Sequence, residues 1–402
     1  MPERRSGRGP AGPGLRVLVA PDSYKGSLTS VQVARALAAG WARERPRDRV
    51  ELAPLADGGE GTVEAVLASG RGWAAMPVST RDPLGRPLAG RFLRDGDRAV
   101  VELADASGLS HVLPEDRDAL RATTFGTGLT LAAAVGLGVR HVVLGVGGSA
   151  TTDGGGGLLS ALGVRLLDPD GRELPPGGAA LARLARLDLS GLSPVLAEVE
   201  VVIASDVTNP LLGERGAAAV YGPQKGASEA DVGALDTALE RFADVLEGAT
   251  GRRVRDVPGA GAAGGTVAGL LGIAGAFASL EVRPGIDTMM ELTGFAERLH
   301  GADLVLTGEG RIDAQTAYGK TALGVARRAA EARVPCVAVG GSVTAEGRAA
   351  LAPLGAMAVS ASEGPGSLEE AMAAGEAPLE RAGAMVARLV SLGGALAARA
   401  DG

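Results

Sequence analysis

The sequence predicts an α/β protein of two or three domains, on three observations. The chain has 402 residues, and compact domains average about 150 residues. Near both ends, short apolar runs alternate with helical periodicity, as in "RVLVA" before "SVQVARALAAGW". That is the pattern of strands feeding helices across a sheet. After Ala74 it gives way to closely spaced β-like runs broken by turn signals, the texture of hairpins in a mixed sheet.

Taken in order, "RVLVA" suits a strand buried on both faces. Thr29 and Ser30 can cap the next helix, whose Val33, Ala34, Leu37 and Trp41 share a face, and Pro46 closes it. "VELAPLA" is expected as the second strand and "EGTVEAVLAS" as the start of the second helix. "DPLG" and "RDGD" mark turns in the hairpin region. "TFGTGLTLAAAVGLG" restores helical spacing, and the strand "HVVLG" runs into "GVGGSATTDGGGG", which holds seven glycines and one charge, Asp153. Further strand–loop units are "EVVIASDVTNPLLG", "ADLVLTGEGRID" and "VPCVAVGGS", and "APLERAGAMVARLVSLGGALAARA" makes an amphipathic C-terminal helix. Residues 1–14 are basic, rich in Gly and Pro, and expected as a disordered lead-in.

Composition removes several classes. Net charge is −7 and aromatics are 2%, whereas nucleic-acid binders need a basic face and stacking rings. The single cysteine, Cys336, leaves no disulfide framework and fits a reducing cytoplasm. With His111, His141 and His300 as the only histidines, no zinc cage is expected. Val257 to Leu280 carries no charge and has the length of a membrane span. Pro258 and the dominance of Gly and Ala favour a buried loop and helix instead.

In open α/β sheets, ligands sit beyond the carboxyl ends of the strands, near helix N-termini. Here those ends carry "APDSYKGS", "PLADGGEGT", "GVGGSATTDGGGG", "ASDVTNPLLG", "YGPQKGAS" and "TGEGRID". Each one alone reads as a turn or a helix cap; together they put Asp, Glu and Lys repeatedly at the mouth of a sheet. Two literal motifs fail. Gly145 to Ala150 fits G-x-G-x-x-A with Asp168 at a dinucleotide-like distance, but "TTDGGGG" occupies the first helical turns, where each glycine costs about 1 kcal/mol. "AQTAYGKT" is a relaxed Walker A, but "GEGRID" separates it from its strand. Phosphate handling survives as the implication. Phosphoryl transfer needs cations on phosphate, carboxylates for Mg²⁺ and a group to orient the acceptor hydroxyl. Lys25, Lys225 and Lys320 beside glycines, with Asp57, Glu60, Asp153, Asp206, Glu309 and Asp313, supply those types.

These blocks, with "PGAGAAGG" and "TGEGRIDAQTAYGKT", resemble the successive signatures of type I glycerate kinases, in order from about Leu15 onward. Tyr24 stands where Phe is commoner, and Thr152 where Asn is frequent. The resemblance implies ATP-dependent, Mg²⁺-assisted phosphorylation of D-glycerate, mostly at the 2-hydroxyl. It also implies a Rossmann-like (flavodoxin-like) domain built from residues 15–75 and 284–402, a central α/β domain over 76–283, and an active site in the cleft between them. Within it, Arg311 is expected on the glycerate carboxylate with Lys25 the competitor, and Ser23 and Asp57 on the substrate side. Asp206 or Asp313 would orient the hydroxyl, Asp57, Glu60 and Glu309 would serve Mg²⁺, and Lys320 would steady the transferring phosphate. Gly147, Gly148, Ser149, Thr152 and Lys225 would meet ATP. A monomer or homodimer is expected, with no nucleic-acid or membrane partner. The rival classes are an NAD(P)-dependent oxidoreductase of small hydroxy acids and a non-catalytic nucleotide- or sugar-acid-binding protein.

Overall fold

The computed structural model describes residues 14–314, 321–364 and 366–400. The chain divides into two compact units, Met1–Leu55 with Met290–Gly402, and Ala56–Met289. The expected divisions at 75/76 and 283/284 therefore move to 55/56 and 289/290. The reason is local at both places. The Glu102 carboxylate, in the second unit, accepts hydrogen bonds from the Gly61 and Val63 amides, so helix Thr62–Ala68 goes with that unit. Likewise Asp206 holds the Gly285 amide, which keeps the start of helix Gly285–Thr293 there.

The first unit carries five parallel strands in the order Met357–Ser360, Cys336–Val343, Leu304–Ile312, Arg16–Val19, Arg49–Leu52. Numbered along this unit, the order is 5-4-3-1-2, the flavodoxin-like winding, whose direction reverses between the first and third strands. Arg16–Val19 is buried after its first residue, as its apolar run dictates. Thr29 caps helix Ser30–Glu44 in a reciprocal capping box with Gln32, and Val33, Ala34, Leu37 and Trp41 are buried. The Trp41 indole N–H donates to Asp48. The C-terminal helix Ala377–Ala400 packs on this helix through two glycines: a Cβ at Gly40 would lie 1.9 Å from the Glu380 carbonyl oxygen, and one at Gly383 2.3 Å from that of Leu37.

"GEGRI", expected as loop, is strand. Leu304–Ile312 pairs with Cys336–Val343 as far as Ile312↔Val343, because its partner is nearly as long and glycines let the chains approach. A Cβ at Gly308 would sit 2.2 Å from the Val339 carbonyl oxygen.

The second unit is built on a six-stranded mixed sheet. Its order is Ser279–Arg283, Glu200–Ala204, His141–Gly145, Arg98–Glu102, Pro87–Asp95, Ala74–Arg81. The first four are parallel, and the last two are the antiparallel hairpin strands that the turn signals anticipate. Phe92, Leu131, Leu144, Leu158, Ile203 and Phe242 are among the side chains of its core. The uncharged stretch from Val257 contains helix Ala262–Gly272, with left-handed backbone at Ala263, Gly264 and Gly265. Among the described residues no helix is long and apolar enough to cross a membrane.

Candidate active-site elements

In the second unit, the four parallel strands point their carboxyl ends at one edge, and the loops there interlock through glycine. Gly58 lies on the end of strand Glu200–Ala204: a Cβ would be 2.7 Å from the Ala204 carbonyl oxygen. Gly145 and Gly147 press on the Asp57–Gly61 loop, where Cβ atoms would fall 2.8 Å from the Gly58 oxygen and 2.5 Å from the Gly59 Cα. The remaining glycines admit protein too: Phe242 beside Gly154, Thr266 beside Gly155, Leu166 beside Gly156, and Thr123 beside Gly157. The glycine run is thus chiefly a site of close chain packing.

Its core is Asp153. This carboxylate is 1% exposed and accepts from the Thr124 amide and hydroxyl, the Thr123 hydroxyl and the amides of Gly155 and Gly157. An acid so fully bonded is a structural anchor. Asp168 is likewise a turn residue, holding the Asp170 and Arg172 amides and the Arg183 guanidinium. With only the six-residue helix Gly156–Ala161 after the loop, the dinucleotide motif has no structural counterpart.

Near its start, the same loop offers donors. Gly147 donates to the Gly58 oxygen, but among the described residues the next two amides, of Gly148 and Ser149, have no partner. Gly148 is exposed with φ +74°. Successive unpaired N–H groups around a left-handed residue are the makings of an anion-binding concavity. Behind it Lys225, 2% exposed, donates from Nζ to Ser149 Oγ at 3.0 Å and to the Thr151 oxygen at 2.5 Å. Burial pulls its pKa down to about 7, with Asp153 opposing. The Thr151 and Thr152 hydroxyls are buried without a hydrogen-bond partner among the described residues.

Acids gather beside this loop. Asp206, just past strand Glu200–Ala204, accepts from the Gly285 amide at 2.8 Å. Part of it stays open to solvent, yet desolvation by the surrounding protein, then Asp57 and Asp287, push its carboxyl up to about 6. Asp57 is half-buried and its carboxylate accepts from the Gly59 amide; Glu60 is exposed. Glu102 was not singled out in the sequence. It is 6% exposed, raised to about 7 by desolvation, and holds the start of the helix that follows the Asp57–Gly61 loop.

In the first unit, two neighbouring strand ends at the reversal point carry the charges. Past Arg16–Val19 come Asp22, Ser23, Tyr24 and Lys25. Asp22 is 5% exposed and accepts from the Ser23 amide and the Thr321 hydroxyl, the latter at 2.5 Å. Tyr24 donates its hydroxyl to the Val339 oxygen, and burial, with Glu309 nearby, raises its pKa. Ser23 is half-buried and Lys25 exposed. On Leu304–Ile312, Glu309 is buried, and Arg311 reaches Asp313 with Nε–Oδ2 2.9 Å. Lys320, and with it most of "AQTAYGKT", lies outside the described residues. Asp22 and Glu102 share a signal that sequence reading passed over: each is an acid at or near the end of an apolar strand, as Asp206 is.

Comparison with known proteins agrees with the resemblance. The sequence model of the family described as the glycerate kinase family matches residues 17–391. The glycerate kinase of Halalkalibacterium halodurans is 44% identical over 374 residues, covering 92% of this chain and 97% of that one. The glycerate 2-kinase of Escherichia coli is 42% identical over 335 residues, covering 82% and 86%. A crystal structure of a glycerate kinase 2 candidate from Salmonella typhimurium superposes with TM-score 0.79 at 40% identity, covering 94% of this chain and 99% of that one.

Proposed function

The chain belongs to the glycerate kinase family, and we propose that it transfers the γ-phosphoryl group of ATP to the 2-hydroxyl of D-glycerate. The observation that carries the phosphate half of this reading is the pair of open amides at Gly148 and Ser149, with Asp57 and Asp206 crowded at the same sheet edge. These groups fit a magnesium triphosphate: Mg²⁺ takes one or two carboxylates and completes its shell with phosphate and water. Mutual repulsion between Asp57 and Asp206 is what such a cation relieves. When bound, Mg²⁺ neutralises charge that develops on the phosphates.

The chain's own residues then divide as follows. Gly148 and Ser149 meet the nucleotide phosphates through their amides, with Lys225 behind them; Gly147, whose amide is taken by the Gly58 oxygen, and Thr152, fully buried, hold the turn from within instead of touching the nucleotide as expected. Asp57 and Glu60 in the second unit, and Glu309 in the first, are the metal-side acids. Arg311, with Lys25 and Ser23, receives the glycerate carboxylate, and Lys320 steadies the transferred group. Asp206 orients the acceptor hydroxyl and takes its proton; Asp313 is the alternative. With a carboxyl near 6, Asp206 is ionised at neutral pH yet basic enough to accept that proton. A cytoplasmic monomer or homodimer completes the proposal.

The test is ADP release on mixing protein, Mg²⁺-ATP and D-glycerate. Strict dependence on D-glycerate is expected. Turnover of NAD(P)H with hydroxy acids instead, or nucleotide binding without ADP release, would replace this reading with one of its rivals. Arg311→Ala is expected to raise the KM for glycerate by at least about tenfold, the loss of a charge-assisted carboxylate contact. An unchanged KM moves that contact to Lys25.

A further inference from the structure

We propose that Lys225 is a positioning residue that serves the phosphate from beneath, pinning the Gly148–Ser149 turn and taking up a proton when a phosphate chain settles on it. The inference rests on the phosphate reading of that turn. Three lysines stand among the 40 basic residues of the chain, and this one is sunk to 2% exposure with no carboxylate of the described residues in contact. Its ammonium is spent on Ser149 Oγ and the Thr151 oxygen, the residues that form the far side of the anion-binding turn. A buried cation bonded to neutral oxygens is costly to keep charged. It persists where a ligand of opposite charge stabilises it.

The groups around the ammonium are few. Asp153 faces it from the glycine loop and supports the charged form, but that carboxylate is already taken up by two hydroxyls and three amides. Arg117 packs on the backbone either side of Lys225, its carbonyl against Gly226 and its guanidinium donating to the Gln224 oxygen. Lys225 therefore rests near pH 7 between its two forms. A phosphate anion within reach raises such a group by about 1–3 pH units. In binding, the proton comes from solvent and bonds to the Nζ lone pair; no other bond changes.

The test is calorimetric titration of the protein with Mg²⁺-ATP, glycerate absent, at pH 8 in buffers of different ionisation heat. At that pH the nucleotide is fully ionised, so the proton count reports the protein. Net uptake of most of one proton is expected for the unaltered chain, shrinking toward zero at pH 6, where Lys225 is already charged. Lys225→Met and Lys225→Gln are expected to abolish the uptake and to weaken ATP binding by at least about tenfold, a lost charge-assisted contribution, with KM for glycerate unmoved. Lys225→Arg is not expected to restore it, since a planar fork does not match two acceptors set for a compact ammonium. Ser149→Ala keeps the amide, removes one acceptor and should halve the effect or more. Absence of proton uptake by the unaltered protein, or uptake unchanged in the Met and Gln variants, overturns the inference. Failure of the underlying reading looks different: Gly148→Ala, strained at φ +74°, would then bind ATP normally while remaining folded.

Discussion

At the level of single residues, Asp206 is the most exposed to test. It caps helix Gly285–Thr293 by holding the Gly285 amide, and its raised carboxyl suits a proton acceptor. Asp206→Asn keeps an oxygen for the amide, so stability should change by less than about 1 kcal/mol. The rate should fall by about 100-fold or more, the usual contribution of a general base. Steady-state kinetics beside a thermal melt separates the two effects; a rate near that of the unaltered chain passes the role to Asp313. Asp206 was legible because an acid followed an apolar run. Asp153 was not: the same pattern of Asp amid Gly and Thr reads as a ligand site, and only the fold reveals five protein donors converging on it. Glycine carries the same ambiguity. At Gly147 the missing Cβ makes room for Gly59 rather than for a ligand, so Gly147→Ala should cost about 1–3 kcal/mol through overpacking, read as a lower denaturant midpoint.

Among the elements, the strands and helices followed from apolar runs, caps and turn residues, because those signals are local. Thr29 with Gln32, Pro46 after Arg45, and the hairpin turns at "DPLG" and "RDGD" all act within a few residues. "GEGRI" escaped the same treatment because its strand state depends on a partner, Cys336–Val343, which no local pattern announces. Glu102 joins two elements and gives a pH signature. Its folded carboxyl is raised from 4.5 to about 7, so burial favours the protonated form. The stability it contributes is complete below about pH 4.5 and is lost as pH rises through about 7. Glu102→Gln is expected to flatten that decline in urea midpoints; an equally steep decline would detach Glu102 from it. The paired glycines Gly40 and Gly383 fix another join. Gly383→Ala should lower the melting temperature by forcing the two helices of the first unit apart, again by about 1–3 kcal/mol.

For the molecule as a whole, the winding of the first unit from both chain ends came with the family resemblance, not from composition or periodicity. Sheet order joins segments nearly 300 residues apart, as Val17 pairs with Leu304, and a single sequence has no local mark of such pairing. The strand-end positions were nevertheless readable, since a parallel sheet sends its charged loops to one edge. Asp57, Asp206 and the Gly147–Ser149 turn do share an edge in the second unit, as Ser23, Glu309, Arg311 and Asp313 cluster at neighbouring strand ends in the first. The proposal that the chain phosphorylates D-glycerate at its 2-hydroxyl is tested most directly by ³¹P NMR of the product formed from D-glycerate and Mg²⁺-ATP. Phosphate on the 2-hydroxyl couples to a single carbon-bound proton, so a new phosphomonoester doublet is the predicted result. A triplet, from phosphate on the terminal CH₂ oxygen, or no ester at all, would contradict the account.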